Sequence, residues 1–367
     1  MYEITQKMNN MGEITTLPVD FNFETIPILK KLAEAHKYLG ELKGVAAIIP
    51  NPNILIETLV LQEAKESSAI ENIISTFDDV YQSNWNTLTF STSSAKEVHT
   101  YSNALHKGVE LIQKNGILTL NHILEIQSII EKNNAGFRKL PGTKLMNDAT
   151  GKVVYEPPQD YETILALMNN LEQFINVDDV LDADPLVKMA IIHLQFESIH
   201  PFYDGNGRTG RIVNVLYLIN KGLLSLPILY LSRYIIKHKN DYYRLLNLVR
   251  KENLWEEWIL YMLDAVVETS KETTDMLLKI SNCINQHTET IKENANKIYS
   301  LQLINNLFRY PYTKIEYLMG DLSLSRNTII RYLEQLIEIG IIEKKKIGRD
   351  NFYVNIKLLK ILKHETL

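Results

Sequence analysis

Cysteine occurs once in the 367 residues, at Cys283, so neither an intramolecular disulfide framework nor a cysteine-built zinc site is open to this chain. Long apolar runs are scarce as well. The longest, such as Leu223 to Leu231, are broken by Ser225 and Pro227 and fall short of the ~20 residues that a membrane-spanning helix takes. Met1 to Asp20 is polar and mixed and lacks the basic start and apolar stretch of a secretory signal. With 15 Gly and 11 Pro and no internal repeat, collagen-like and low-complexity classes fall away. No charge sign dominates: 39 basic residues stand against 44 acidic ones, a net −5, which argues against a surface built wholly for nucleic acid. What remains is a cytoplasmic protein of ordinary globular composition, without a membrane partner and long enough for two or three folding units.

Helical periodicity dominates the chain. Ile28, Leu32, Ala35 and Leu39 mark one helix, expected to stop at Gly40. Asn53 opens a longer one whose stripe runs through Leu55, Leu59, Ile70, Ile73 and Phe77, with Ser67 and Glu71 four apart on one face. Ala95 to Gln113 and Leu120 to Glu131 follow, separated by Asn115-Gly116. Lys144 to Met146 and Val153 to Tyr155 read as a hairpin joined by Asn-Asp-Ala-Thr-Gly. Helices return at Tyr161 to Ile175 and after the Asp184-Pro185 start signal. Asp241 to Leu263 and Asp264 to Ile298 are also helical, the second polar enough to serve partly as a linker. Near the end, Ile298 to Phe308, Lys314 to Met319 and Ser325 to Ile339 are three short helices before a strand–turn–strand, a winged-helix order.

Chemistry concentrates in Ile199-His-Pro-Phe-Tyr-Asp-Gly-Asn-Gly-Arg-Thr-Gly-Arg211. A helix ends at His200, Pro201 and Phe202 hold a turn that presents Asp204, and Gly205, Asn206 and Gly207 open a second helix. A helix start built of small residues exposes unpaired N–H groups and the positive end of the dipole, which together bind phosphate. Arg208 and Arg211 lie on adjoining faces of that first turn and suit a polyphosphate. Asp204 offers the hard oxygen that Mg2+ takes when it is shared with substrate phosphates. His200 is the nearby group whose ordinary pKa suits a general base. Together these residues describe phosphoryl or nucleotidyl transfer from a magnesium-bound nucleoside triphosphate. His193, seven residues earlier, is expected to be a hydrogen-bonded core residue, since no carboxylate spacing completes a zinc set.

From His200 to Arg211 the sequence resembles the Fic family, whose signature His-Pro-Phe-x-Asp/Glu-Gly-Asn-Gly/Lys-Arg-x-x-Arg is met at every fixed position. Phe196-Glu197, Gly136-Phe137-Arg138 and Tyr242-Tyr243 look like further family features, extending the likeness over roughly Asp20 to Leu263. The resemblance implies a mostly α protein, a Fic-type helical core with a small β-hairpin flap, that moves AMP from ATP to a Ser, Thr or Tyr hydroxyl of a protein target. Relatives that transfer phosphate or phosphocholine exist, and Gly207 in place of Lys points to AMP. By the same resemblance, His200 deprotonates the hydroxyl and Asp204 holds Mg2+. Gly205, Asn206, Gly207, Arg208, Thr209, Gly210 and Arg211 receive the nucleotide, with Tyr243 as a bordering candidate beside core packing. Val153, Val154 and Tyr155 in the flap dock the target backbone as an added strand.

Ser67-Ser-Ala-Ile-Glu71-Asn72 resembles the family's inhibitory motif, Ser/Thr-x-x-x-Glu-Gly/Asn. A glutamate paired with Arg211 removes the cation meant for the γ-phosphate and repels that phosphate; in some relatives it also aids removal of AMP. The expected organisation is an N-terminal inhibitory region over 1–115, a catalytic core over 116–275, a helical linker over 276–296 and a winged-helix tail over 297–367. In the tail, Arg326, Asn327 and Arg331 are candidates for a DNA groove, and Lys344, Lys345, Lys346 and Arg349 for its phosphates; protein docking is the competing use of such a module. A DNA-binding regulator whose Fic site senses nucleotide is the rival to the enzyme reading. The family resemblance also makes a homodimer and self-modification expectations, while the target protein is not legible.

Overall fold

The computed structural model describes residues 14–49, 52–82, 90–146, 151–347 and 350–365. In chain order its elements are α1 (Ile26–Ala47), α2 (Pro52–Ile70), α3 (Phe77–Gln82), α4 (Ser93–Asn115), α5 (Leu120–Glu131), β1 (Leu145–Met146) and β2 (Val153–Tyr155). There follow α6 (Tyr161–Asn176), α7 (Pro185–Ile199), α8 (Asn206–Asn220), α9 (Ser232–Lys237), α10 (Lys239–Glu252) and α11 (Trp255–Asn294). The last are α12 (Leu301–Arg309), β3 (Tyr312–Thr313), α13 (Ile315–Leu322), α14 (Arg326–Glu338), β4 (Glu343–Ile347), β5 (Asp350–Val354) and α15 (Ile356–Leu362). No described helix is long and apolar enough to cross a membrane.

Two compact units emerge, one of Met1–Lys37 with Thr100–Val267, the other of Tyr38–His99 with Glu268–Leu367. Both units draw on the N-terminal region. Residues 276–294, expected within a helical linker, lie in α11, which is continuous for 40 residues and buries Met276, Leu277, Ile280, Cys283, His287 and Ile291 on one face. The expected break at Asp264 falls instead at Asn253, which takes φ 57 after α10, and α11 runs on through Asp264, whose carboxylate pairs with Lys31 at 2.8 Å on the surface.

In the first unit α7 is the central element. Every residue from Leu186 to Ile199 is buried, the pattern of a helix surrounded by others, and α6 and α8 pack along it. The Asp184 carboxylate accepts the Leu186 amide at 2.8 Å and Pro185 occupies the first turn, so the start signal legible in the sequence forms as expected. β1 and β2 form an antiparallel pair with Leu145 opposite Tyr155 and Met146 opposite Val153; of the connecting residues Gly151 and Lys152 lie among those described.

In the second unit β3, β5 and β4 make a three-stranded antiparallel sheet in that spatial order, with Tyr312 and Glu343 flanking Val354 from either side. With α12, α13 and α14 before the hairpin, the C-terminal segment has the expected helix order; β3 and α15 are additions. Cys283 is buried near His287, with Sγ 3.7 Å from Nε2, and burial pushes its thiol up to about 11.

Two helix ends depart from expectation. α1 continues through Gly40 to Ala47, because Leu42 and Ala46 extend its buried stripe and outweigh the ~1 kcal/mol that a mid-helix glycine costs. α2 stops at Ile70 instead of running to Phe77. Asn72 adopts φ 62, its amide bonds to Ala69 O, and the Ile73 amide reaches back to Ser68 O, a Schellman ending with Asn72 at the left-handed position.

Candidate active site

The signature residues form a loop pinned at both ends. His200 caps α7 in the left-handed conformation (φ 49, ψ 57), its amide donating to Phe196 O at 2.9 Å. Arg138, fully buried, clamps the turn: its amide donates to Pro201 O at 2.9 Å, Nε to His200 O at 2.8 Å and Nη2 to Ile199 O at 3.3 Å. Phe202 is fully buried between the rings of Phe137 at 5.3 Å and Phe196 at 6.3 Å. The Asn206 carboxamide bonds both backbone groups of Phe202, each at 2.8 Å, so this side chain holds the loop in shape. Exposed Tyr203 accepts the amides of Lys139 and Leu140 on its hydroxyl, and these donors pull the phenol below its usual range.

The second half of the loop has the geometry of an anion-binding helix start. Gly205 is the N-cap of α8 at φ 77, and no side chain caps the helix, which leaves the first-turn amides from Asn206 onward directed outward from the helix start. Exposed Asp204 stands before this end, with Oδ1 accepting the Gly205 amide at 2.7 Å. A carboxylate on an anion-binding loop suits a magnesium ion shared with phosphates. Arg208 and Arg211 are both buried on α8, and Arg208 Nη2 donates to Glu131 Oε1 at 2.6 Å. Gln127, one turn earlier on α5, donates to Asp204 O at 3.3 Å. Gln127 and Glu131 thus form a rail behind the loop that sequence reasoning missed. Their four-residue spacing was visible; their partner, 77 residues away in both cases, was not.

Thr209 and Gly210, expected to border the nucleotide, face the interior. Thr209 is fully buried, and a methyl group on Gly210 would meet Glu197 Oε1 and the Phe196 ring at 3.0 Å, so this glycine permits α7 and α8 to approach. His193 is the core residue anticipated: Nε2 lies 2.8 Å from Tyr242 OH, the ring stacks on Trp258, and burial with nearby Arg211 pulls its pKa to about 3. No group of metal ligands occurs among the described residues. In the flap, Val153 and Val154 are exposed, whereas Tyr155 turns inward, donates to Ser198 O at 2.9 Å and lies under the Arg250 guanidinium at 3.9 Å. Arg250, whose Nε donates to Ser198 Oγ at 2.9 Å, was also missed; nothing in the local pattern of α10 marks it. Tyr243 is exposed and packs edge-on against buried Tyr242. A cavity of 290 Å³ between α9, α10 and α11, lined by Tyr234, His238, Asp241 and Arg244 among others, contains no residue of the signature.

Ser67 and Glu71 belong to the second unit. Ser67 is fully buried near the end of α2, and Glu71 is an exposed residue of the turn just beyond it, so the two are not on one continuous helix. In the C-terminal segment Arg326 pairs with Glu316 at 2.9 Å, and Asn327, Arg331, Lys344, Lys345 and Lys346 are exposed. Arg349 lies outside the described residues.

Residues 29–110 match the Fic/DOC family N-terminal model, 117–218 the Fic/DOC family model, and 283–358 the model of the C-terminal domain of the SoFic-like protein adenylyltransferase. The probable protein adenylyltransferase aq_aa38 of Aquifex aeolicus is 28% identical over 142 residues, 39% of this chain and 41% of the relative. The protein adenylyltransferase Fic of Aedes aegypti is 26% identical over 144 residues, 39% of this chain and 27% of the relative. This chain therefore matches less than half the length of each of these two curated relatives. Among solved structures, a Fic family protein from Desulfovibrio desulfuricans G20 superposes with a TM-score of 0.59 at 20% identity, covering 90% of this chain and 96% of that one. Fic-1 of Caenorhabditis elegans gives 0.52 at 17% identity, over 68% and 73%. With the signature complete, its loop built as described and the family's models matching in order along the sequence, the chain belongs to the Fic/DOC family.

Proposed function

We propose that this chain is a protein adenylyltransferase that transfers AMP from Mg-ATP to a hydroxyl side chain of a protein, and that Glu71 restrains it. The observation that carries the reading is the uncapped start of α8, opened by left-handed Gly205 one short loop after His200, whose backbone is locked by buried Arg138. Such a site works by positioning and by charge arranged in advance. His200 takes the proton of the target hydroxyl, whose oxygen attacks the α-phosphorus while pyrophosphate leaves. The amides at the head of α8 and the guanidinium of Arg211 receive the phosphate charge. Asp204 would hold Mg2+, which supplies further neutralisation of that charge. Val153 and Val154, exposed on the flap, offer the target backbone an edge.

Glu71 next to Asn72 supports self-restraint through Arg211, and the same carboxylate is placed in the motif to help in AMP removal. The decisive experiment incubates the full chain and a cell lysate with α-labelled ATP and Mg2+, comparing wild type, Glu71→Gly and Glu71→Gly/His200→Ala. Strong labelling by Glu71→Gly, weak labelling by wild type and none by Glu71→Gly/His200→Ala is the expected pattern. If Glu71→Gly labels nothing and no AMP is released from a modified protein, the enzyme reading is lost.

A further inference from the structure

The segment that carries the inhibitory motif is tied on both sides to the C-terminal segment of its own unit. Before the motif, on α2, Thr58 Oγ1 donates to Arg309 O at 2.6 Å and Gln62 Nε2 donates to Leu362 O at 2.8 Å. Arg309 is the last residue of α12 and Leu362 the last of α15, so both acceptors are terminal helix carbonyls, which have no partner within their helices. Thr58 and Gln62 are both buried, where an unmet carbonyl is costly. α2 therefore supplies the C-terminal caps of two tail helices. A third tie joins Tyr310 OH to Glu57 Oε2 at 2.9 Å. Beyond the motif, Asp78 Oδ1 on α3 accepts from Tyr312 OH at 2.9 Å and lies 3.3 Å from Lys363 Nζ. Residues 309–312 and 362–363 thus grip the chain at 57–62 and again at 78, with Ser67, Glu71 and Asn72 between.

We propose that the C-terminal segment is the regulator of the inhibitory motif: while its helix ends are capped by Thr58 and Gln62, it holds α2 in the restraining position, and loosening these ties releases Glu71. The proposal rests on the inhibitory reading of Glu71 given above. It assigns the tail a use that does not depend on whether DNA or a protein engages it, because any partner that shifts α12 or α15 acts on α2 through the same bonds.

The test compares labelling by the full chain carrying Gln62→Ala or Tyr310→Phe, each in the wild-type background and with Glu71→Gly. Each variant is expected to raise labelling about two- to tenfold in the wild-type background, the effect of one hydrogen bond on a two-position equilibrium, and to add nothing with Glu71→Gly. Thr58→Ser, which keeps the hydroxyl, is expected to stay restrained. No rise in the wild-type background, or an equal rise in both, overturns the proposal. Should Glu71→Gly alone fail to raise labelling, it is the inhibitory reading that falls, and the two failures are told apart within one experiment. A Gln62→Ala chain inactive even with Glu71→Gly has lost its fold, and Tyr310→Phe, which removes a single hydroxyl, then decides.

Discussion

A methyl group on Gly205 would meet Glu131 Oε1 at 2.7 Å, and φ 77 disfavours any side chain there independently. Gly205→Ala is therefore expected to lower stability by about 1–2 kcal/mol and to weaken ATP binding by moving the first amides of α8; urea unfolding and nucleotide titration read the two effects. Arg138→Ala leaves the carbonyls of Ile199 and His200 without their charged donor inside the core, so a loss of about 3 kcal/mol is expected, along with the labelling activity. Titration gives a third expectation. His193 has its pKa lowered from 6.5 to about 3, so the unfolded chain takes up a proton that the folded one refuses. The stability this contributes is complete above pH 6.5 and is lost as pH falls toward 3. Between pH 7.5 and 5 the loss from this residue is about 2 kcal/mol, and His193→Gln should flatten that part of a urea-midpoint profile. His287, lowered to about 4 by burial, adds to the same acid limb in the second unit.

At the level of elements, the end of α2 gives a backbone reason for Gly or Asn in the position after Glu71. The position after the glutamate must enter the left-handed region for the Schellman bonds to form, and those are the residues that do so at least cost. Asn72→Gly should leave both stability and restraint as they are. Asn72→Val should cost about 1 kcal/mol and raise labelling, since Glu71 loses the turn that aims it; a thermal melt beside a labelling assay checks both. The same turn shows what a sequence conceals. Local signals were read well where the interaction is local: Asp184-Pro185 launching α7, Gly205 opening α8, and Ser325 capping α14 through the Thr328 amide. The helix start itself was legible because its atoms come from consecutive residues. Arg138 acts 62 residues from its position, Glu131 acts 77 from its own, and β3 is two residues long, so no periodicity announces them. Gly40 misled for the opposite reason, as burial of Leu42 and Ala46 overrode a local breaking tendency, and left-handed Asn253 breaks the helix where the apolar pattern runs on.

Across the whole molecule, the mild net charge conceals a division. Residues 297–367 hold 12 basic and 7 acidic side chains, a balance of +5, and the remainder holds 27 against 37, or −10. If the proposed reaction is the chain's own, an acidic body makes the buried guanidinium of Arg211 the more necessary for drawing in a triphosphate. The basic part presents Lys344, Lys345 and Lys346 exposed along β4. If this strand meets a polyanion, replacing the three lysines with glutamine should lower the slope of log affinity against log salt by about 2 to 3 on duplex DNA; an unchanged slope would remove the strand from any such role. The thinness in cysteine has a practical side. The chain's one thiol, Cys283, is buried and titrates near 11, so at neutral pH about one molecule in ten thousand presents a thiolate. The folded protein is thus nearly blind to maleimide chemistry. A cysteine introduced at Ile74, 76% exposed and two residues past left-handed Asn72, would carry a single fluorophore with almost no background and make any movement of the segment that carries Glu71 directly visible as light.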